Sequence, residues 1–193
     1  MPDERVVVHT CCAPCLCALL DHVRSRYQAP LFFFHNPNIH PLIEFRRRLK
    51  ATQVLAERER LELEADTEYG LWAFLDAIGA DREPPERCHH CYAMRLEATA
   101  AAAERHGIPV FTTTLLTSPQ QDRKALCRLG HEAAERHGVR FDDTDLRHLH
   151  DEGLRRAKRL QLYRQQYCGC IFSEYERYRD TTLHLHKPSN IPH

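Results

Sequence analysis

A short internal repeat limits the folds open to this chain more than any other feature of the sequence. Residues 102–107 and 133–138 both read Ala-Ala-Glu-Arg-His-Gly, and each copy is followed by a short β-prone run. The separation of the copies is close to the length of one helix and one strand. Glycine after a helical pattern ends the helix, so the repeat predicts two successive helix–strand units. Since the chain also begins with a strand, a loop and a helix, we expect a three-layer α/β domain with a mostly parallel sheet and helices on both faces.

Predicted strands and helices alternate along the whole chain. Runs of β-branched and aromatic residues predict strands at 6–8, 30–35, 61–65, 110–114 and 139–141. Helical periodicity predicts helices at 16–27, 42–61, 69–78, 88–106, 121–137, 153–165 and 173–183. Ser173 and Glu176 have the spacing of a capping box, so Ser173 is expected to cap the last helix. One α/β domain is expected over residues 1–183, with a flexible tail at 184–193.

The composition predicts a cytoplasmic protein. No apolar run approaches the roughly 18 residues of a membrane helix, and the charged start lacks the apolar core of a signal peptide. We therefore expect no membrane partner. The nine cysteines are then more typical of metal binding or catalysis than of structural disulfides. The formal net charge is zero, so no global field attracts nucleic acid, although local basic runs exist.

Seven of the nine cysteines fall into three groups along the chain: Cys11, Cys12 and Cys15, then Cys88 and Cys91, then Cys168 and Cys170. The first group follows a predicted strand, at the edge of the sheet where α/β proteins bind ligands. The second places two thiols on one helical turn. Cys11, Cys12 and the second group together offer four thiolates, which suit zinc or an iron–sulfur cluster if the two segments converge. Cys17 and Cys127 lie within predicted helices and are expected to be packing residues.

The third group, Cys168-Gly169-Cys170, has the spacing of a redox-active pair. One intervening residue closes a small, strained disulfide ring, which is easily reduced. Gly169 allows the backbone to turn tightly between the two thiols. The other interpretation is that this pair supplies two further metal ligands.

Five motifs occur in order over residues 6–173. They are His9-Thr-Cys-Cys-Ala-Pro-Cys15, Phe33-Phe-His-Asn-Pro-Asn-Ile39, Cys88-x-x-Cys91, Phe111-Thr-Thr-Thr-Leu-Leu-Thr-Ser-Pro119 and Leu162-Tyr-Arg-Gln-Gln-Tyr-Cys-Gly-Cys-Ile-Phe-Ser173. Together they resemble the QueH-type epoxyqueuosine reductases. The resemblance implies a Rossmann-like fold of the HUP class, with the cysteine-rich loop at the carboxyl ends of the strands. It also implies a reductase that removes the epoxide oxygen of epoxyqueuosine at the wobble position of tRNA, giving queuosine.

The resemblance implies cofactors and site residues as well. The ligands of the family's 4Fe-4S cluster fall on Cys11, Cys12, Cys88 and Cys91. The family's redox-active disulfide falls on Cys168 and Cys170. Cys15 would then either bind an additional mononuclear iron or assist the dithiol. The reaction requires an electron donor, which the sequence does not identify.

Protonation of the leaving oxygen and RNA binding require further residues. His9 and Tyr167 are the nearest candidate acids by sequence. A basic helix with neighbouring tyrosines is expected to contact tRNA through Arg155, Arg156, Arg159, Tyr163, Arg164 and Tyr167. Residues 46–50, which hold three arginines and a lysine, offer a second basic patch.

Two other functions account for part of the sequence. A non-catalytic zinc-binding, RNA-binding module explains four thiolates but gives no reason for Cys168-Gly169-Cys170. An ATP-dependent tRNA thiolase on the same scaffold would need a glycine- and serine-rich phosphate loop after the first strand. Residues 9–15 contain neither glycine nor serine, so the sequence does not favour a thiolase.

Overall fold

The central feature of the computed structural model, which describes residues 4–181, is a sheet of five strands in which every pair is parallel. The strands are β1 (Val7–His9), β2 (Leu31–Phe34), β3 (Glu62–Ala65), β4 (Val110–Thr113) and β5 (Arg140–Phe141). Their order across the sheet is β3-β2-β1-β4-β5. The chain builds one side of the sheet from β1 to β3 and then crosses to β4 and β5. The switch point, where such sheets bind ligands, therefore lies between β1 and β4.

Helices cover both faces of this sheet. In the described part of the chain they are α1 (Ala13–Arg26), α2 (Leu42–Glu59), α3 (Leu71–Ile78), α4 (Glu86–Arg105), α5 (Arg123–His137), α6 (His150–Arg159) and α7 (Ile171–Tyr178). Val7 of β1 packs in one apolar cluster with Leu96 of α4 and Leu126 of α5. Its neighbour Val8 packs in a second cluster with residues of α1, α2 and α6, including Leu16. Because successive strand residues point to opposite faces, the two clusters define three layers, and the predicted α/β fold is confirmed.

Helix α1 begins three residues earlier than the sequence predicts. Cys12 is its N-cap residue, and Pro14 occupies the first turn, where its missing N–H group is not needed. Cys15 therefore lies on the first turn of the helix rather than in the preceding loop.

Helix α6 is shorter than predicted, because it ends at Arg159 and does not continue to residue 165. Gln161 adopts a left-handed φ of 55°. The Gln161 N–H donates to Lys158 O at 3.0 Å and the Leu162 N–H donates to Ala157 O at 2.9 Å, which is the Schellman closure of a helix end. Leu162 and Ala157 pack in the same apolar cluster. Tertiary packing thus ends the helix at a point where the sequence has no glycine.

Helix α7 has a different cap from the one predicted. Its N-cap is Cys170, whose Sγ accepts a hydrogen bond from the Ser173 N–H at 3.4 Å. Ser173 Oγ donates to Cys170 O at 2.7 Å, and Glu176 forms an ion pair with Arg87. The prediction of a Ser173–Glu176 capping box is therefore wrong, since the Ser173 hydroxyl is hydrogen-bonded to the Cys170 carbonyl and Glu176 has a tertiary partner in Arg87.

Helix α7 ends at Tyr178, and residues 179–181 are not helical, although the sequence predicts a helix as far as residue 183. Residues 182–183 of that prediction and the predicted tail at 184–193 lie outside the described residues. The expectation of one domain over residues 1–183 remains a prediction. Within residues 4–181, no helix is both long and apolar enough to cross a lipid bilayer.

Candidate metal and redox site

Three thiols meet at the carboxyl end of β1. The Sγ atoms of Cys11, Cys12 and Cys15 all lie within 4.8 Å of one another, and those of Cys11 and Cys12 are 3.6 Å apart. No other group of three or more potential metal ligands in residues 4–181 lies so close together. Thiolate sulfur is a soft ligand that suits zinc and iron–sulfur centres. The geometry therefore places the Cys15 thiol beside the two cysteines that the resemblance implies as cluster ligands.

Hydrogen bonds give the three thiols unequal acidity. The neighbouring thiols, first Cys12 and then Cys15, hold the pKa of Cys11 well below its ordinary value. The pKa values of Cys12 and Cys15 are raised, chiefly because each thiol is hydrogen-bonded to Cys11. Thr114 Oγ1 donates to Cys11 Sγ at 3.2 Å, and Gln165 Nε2 donates to Cys12 Sγ at 3.0 Å. A negative charge in this group is therefore concentrated on Cys11.

Four further cysteines surround a smaller cavity of about 160 Å³. Cys88 and Cys91, from the start of α4, face Cys168 and Cys170 across it. Cys91 and Cys170 are buried in one apolar cluster with Phe74 of α3. Burial raises the pKa of Cys91 to about 12. No disulfide links any of the nine cysteines, all of which lie within residues 4–181.

The predicted four-cysteine ligand set is divided between these two groups. Cys11 and Cys12 lie with Cys15, whereas Cys88 and Cys91 are not members of that close group. Cys168 joins the two groups, because it lines both the smaller cavity and a larger one of about 720 Å³ that Cys11 and Cys15 also line. All three cysteine groups predicted from the sequence therefore open onto adjoining cavities at the switch point of the sheet.

The larger cavity is positively charged although the chain as a whole is neutral. Its charged lining consists of four arginines and one glutamate, namely Arg48, Arg95, Arg164, Arg177 and Glu176. The glutamate forms an ion pair with Arg87 at 2.9 Å, so the arginine charges dominate the cavity. A concave site lined by one sign of charge concentrates ligands of the opposite sign.

Arg95 is a site residue that the sequence analysis missed. It is 2% exposed and lines both cavities. Its guanidinium donates to Cys91 O at 2.9 Å and to Cys91 Sγ at 3.2 Å, and its charge also interacts with Cys168 and Cys11. No carboxylate of residues 4–181 forms an ion pair with Arg95, so its positive charge lies among the thiol groups without a carboxylate counterion. The spacing of four from Cys91 on a helix was the available signal.

The buried side chain of Arg48 holds the Cys168-Gly169-Cys170 loop in place. This side chain is 2% exposed and forms an ion pair with Glu44 at 2.7 Å. Its Nη atoms donate to Cys168 O at 2.8 Å and to Tyr167 O at 3.0 Å. The expectation that Arg48 belongs to a basic surface patch is therefore wrong, because it is buried to hold the loop. Arg46, Arg47 and Lys50 of the same predicted patch are exposed.

His40 provides the second anchor of the loop. The backbone N–H of His40 donates to Gly169 O at 2.8 Å, and its backbone carbonyl oxygen accepts from the Tyr167 hydroxyl at 2.6 Å. Gly169 has a φ of 150°, and a Cβ atom there would lie 3.2 Å from Arg48 Nη1 and from Asn38 Nδ2. The glycine is therefore required both by its backbone conformation and by the close approach of its anchors.

The two candidate acids differ in their access to the cavity. His9 is fully buried, its ring nitrogens contact Thr113 Oγ1 at 2.8 Å and His35 O at 3.2 Å, and burial lowers its pKa to about 3. It is not among the residues that line either cavity. Tyr167 lines the larger cavity, and burial raises its pKa above the ordinary value. Of the two, Tyr167 is better placed to reach a ligand.

The predicted RNA-binding arginines also separate into two sets. Arg155 and Arg159 both form ion pairs with Glu152 at 2.9 Å. Arg156 pairs with Asp21 at 3.0 Å and also with Glu59. Arg164 instead is exposed on the wall of the larger cavity.

The two remaining cysteines and the first predicted tyrosine have local partners. Cys17 and Cys127 pack against the apolar clusters on opposite faces of the sheet, as predicted for packing residues. The Tyr163 hydroxyl donates to Glu44, so it belongs to the support of the cysteine loop.

A parallel sheet of this order, with thiols gathered at its switch point, defines an α/β, Rossmann-like protein whose thiol groups suit metal binding. The family model for epoxyqueuosine reductase QueH matches residues 6–176. The chain therefore belongs to the epoxyqueuosine reductase QueH family.

Individual relatives agree with this assignment. The epoxyqueuosine reductase QueH of Dehalococcoides mccartyi is 36% identical over 174 residues, which cover 90% of this chain and 94% of the relative. The QueH of Thermotoga maritima is 37% identical over 179 residues, covering 89% and 91% of the two chains. The predicted function, an oxidoreductase that acts on epoxyqueuosine in tRNA queuosine biosynthesis, is confirmed. The zinc-binding RNA module is not favoured.

A solved structure supports the fold independently. The U34-tRNA thiolase NcsA from Methanococcus maripaludis, determined with its 4Fe-4S cluster, superposes with a TM-score of 0.56 at 15% identity. The match covers 90% of this chain and 62% of the thiolase. At this level of identity the likeness concerns the fold. The three-thiol group at this edge of the sheet has the soft ligands that suit zinc and iron–sulfur centres.

Proposed function

We propose that this chain converts epoxyqueuosine in tRNA to queuosine with a resident iron–sulfur cluster and a dithiol, Cys168 and Cys170. The observation that carries the proposal is that Cys168 lines both cavities and so lies between the two other cysteine groups. The larger cavity, at about 720 Å³, has a volume typical of a site for a small molecule or a single nucleoside.

The donor chemistry fits an iron–sulfur cluster. The ligand positions implied by the resemblance are Cys11, Cys12, Cys88 and Cys91, and the close packing of Cys15 makes it a candidate for an additional mononuclear iron. A bound 4Fe-4S cluster supplies single electrons at a potential set by its surroundings. Arg95, the buried cation beside these thiols, would balance part of the negative charge of such a centre.

The dithiol has the stoichiometry that the substrate requires. Loss of the epoxide oxygen as water forms a carbon–carbon double bond and consumes two electrons and two protons. Oxidation of the Cys168 and Cys170 thiols to one disulfide releases two electrons and two protons. An electron donor, still unidentified, then has to return the same number to restore the dithiol after each turnover.

Cys168 is also suited to hold a proton for the leaving oxygen. Its thiol faces the cavity, and the protein atoms crowded around it raise its pKa above the ordinary value, so it remains protonated at neutral pH. Gln121 Nε2 lies 3.9 Å from its sulfur on the cavity wall. Tyr167, on the same cavity, is the alternative acid. Since the substrate is a tRNA, the cytoplasm remains the proposed location.

Metal and sulfide analysis of anaerobically purified protein tests the cofactor. We expect about four iron and four sulfide per chain, with a visible absorption band. Iron in excess of sulfide, lost in Cys15→Ala, would identify the mononuclear site. The Cys88→Ala variant should lose both the cluster and the activity, whereas Cys127→Ala, a matched cysteine away from the cavities, should retain both. Zinc without sulfide would refute the proposal and restore the RNA-binding module.

Single-turnover reduction tests the dithiol. Pre-reduced wild-type protein should convert about one substrate per chain without added donor, and oxidation of Cys168 and Cys170 should be detectable by mass spectrometry. The Cys168→Ser and Cys170→Ser variants should keep their iron and sulfide but lose this turnover. Wild-type turnover in Cys168→Ser would exclude the dithiol from the reaction.

A further inference from the structure

The mouth of the larger cavity carries arginines whose charges are not neutralised. Arg164 and Arg177 both line the cavity and are both exposed. Neither forms an ion pair with any carboxylate of residues 4–181. The sequence outside that range contains one acidic side chain, Asp3. The two guanidinium groups are therefore available to a ligand.

The arginines of α6 present the opposite situation. Arg155 and Arg159 share Glu152, and Arg159 and Glu152 line a separate depression of about 540 Å³ together with Asp21. Neither arginine lines the cavity that holds the thiols. Surface ion pairs are individually weak, but an arginine already facing a carboxylate has less net charge to offer a phosphate. The positive charge that the sequence of this helix suggests is therefore partly neutralised by carboxylates.

The free positive surface continues from Arg164 toward α2. Arg47 lies 5.8 Å from the centre of the Tyr163 ring, which directly precedes Arg164 in the chain. Arg47 is exposed, and no ion pair involves it within the described residues. Arg46, its neighbour at the start of α2, is exposed as well. The tyrosine and the guanidinium together offer a flat surface on which a base can stack.

The position of the phosphates follows from the substrate. A nucleoside within an RNA strand stays joined to the phosphates on both of its sides. If its modified base enters the cavity, those phosphates remain at the mouth, next to the exposed guanidinium groups. We infer that Arg164 and Arg177, extended by Arg47, bind the tRNA phosphates next to the wobble nucleoside, and that Arg155 and Arg159 of α6 lie outside this contact. The inference rests on the proposed function in that it takes tRNA as the substrate.

Two matched double variants test the inference. Arg164→Gln with Arg177→Gln and Arg155→Gln with Arg159→Gln each remove two exposed positive charges from the same protein. The affinity for substrate tRNA is measured by filter binding over a series of salt concentrations, in a Cys168→Ser background to prevent turnover. Thermal melting of both double variants checks that each remains folded.

The expected difference is large enough to measure. Each lost phosphate contact lowers the slope of log K against log salt concentration by roughly 0.7–0.9, so the cavity double variant should lose about 1.4–1.8. At about 0.15 M salt this corresponds to roughly ten- to thirty-fold weaker binding. The α6 double variant should bind with a slope and affinity close to those of the background protein.

Two results would contradict the inference. A larger loss of affinity in the α6 double variant would overturn the inference and place the tRNA on that helix. An equal loss in both would show a diffuse contact in place of a defined surface. Because binding is measured without turnover, the outcome is separate from the dithiol proposal. Turnover retained in Cys168→Ser would overturn the dithiol and leave the binding surface intact.

Discussion

The buried ion pair between Glu44 and Arg48 supports the cysteine loop, and its removal should be costly. The two side chains are 5% and 2% exposed, and Arg48 Nε lies 2.7 Å from Glu44 Oε1. In the Arg48→Met variant the Glu44 carboxylate is left buried without its cation, and two hydrogen bonds to the loop carbonyls are lost. Breaking a buried pair by removing one partner costs about 3–5 kcal/mol. We expect a loss of this size in the free energy of unfolding.

Thermal unfolding followed by circular dichroism measures this loss. A change of 1 kcal/mol shifts the Tm of a chain of this size by roughly 2–4 °C. The Arg48→Met protein should therefore melt roughly 6–20 °C lower than the wild type. Arg47→Met is the matched control, because it removes an exposed arginine from the adjacent position of the same helix, and it should change Tm little.

A double-mutant cycle separates the stranded charge from the lost packing. Glu44→Gln combined with Arg48→Met leaves neither charge in the interior, so the double variant should be more stable than Arg48→Met alone. The reasoning is refuted if Arg48→Met melts within about 2 °C of the wild type. It is equally refuted if the double variant loses the sum of the two single effects.

Three further predictions concern the elements around the site. Burial lowers the pKa of His40 to about 4, so between pH 6.5 and 4 the unfolded chain binds a proton that the folded chain does not, and stability is lost as pH falls through this window. Between pH 7 and 5 this loss is about 2 kcal/mol, and His40→Gln should show a correspondingly smaller difference in Tm between the two pH values; an unchanged difference would contradict the shift. Gly169→Ala should lower stability by about 1–3 kcal/mol, because φ is 150° there and the new Cβ meets Arg48 and Asn38 at 3.2 Å; a wild-type Tm would show that the loop adapts freely. Gly153→Ala should destabilise the packing of α6 on α1 by about 1–3 kcal/mol, since its Cβ would lie 2.5 Å from that of Ala18; an unaltered melting curve would disprove this close approach.

The order of elements could be predicted because it depends on local patterns. The β-branched and aromatic runs, and the repeated helix–glycine–strand unit, gave strands and helices close to the observed ones. The ends of α6 and the cap of α7 could not be predicted in the same way. Each is decided by a side chain with a distant partner: Leu162 in an apolar cluster for α6, and Glu176 bound to Arg87 for α7.

The chemistry of the site was determined largely by the sequence, since the types and spacing of the cysteines limit the ligands and electrons they can handle. What only the tertiary structure decided is which groups meet and which charges remain free. Arg48 looked like one of four surface cations and is buried beneath the dithiol, and Arg95 lies among the thiols without a carboxylate partner in residues 4–181. Arg155 and Arg164 look alike in the sequence, yet one pairs with Glu152 and the other lines the cavity. The physical reason is that the net effect of a charge depends on its burial and on neighbours brought close by folding, which local sequence does not specify.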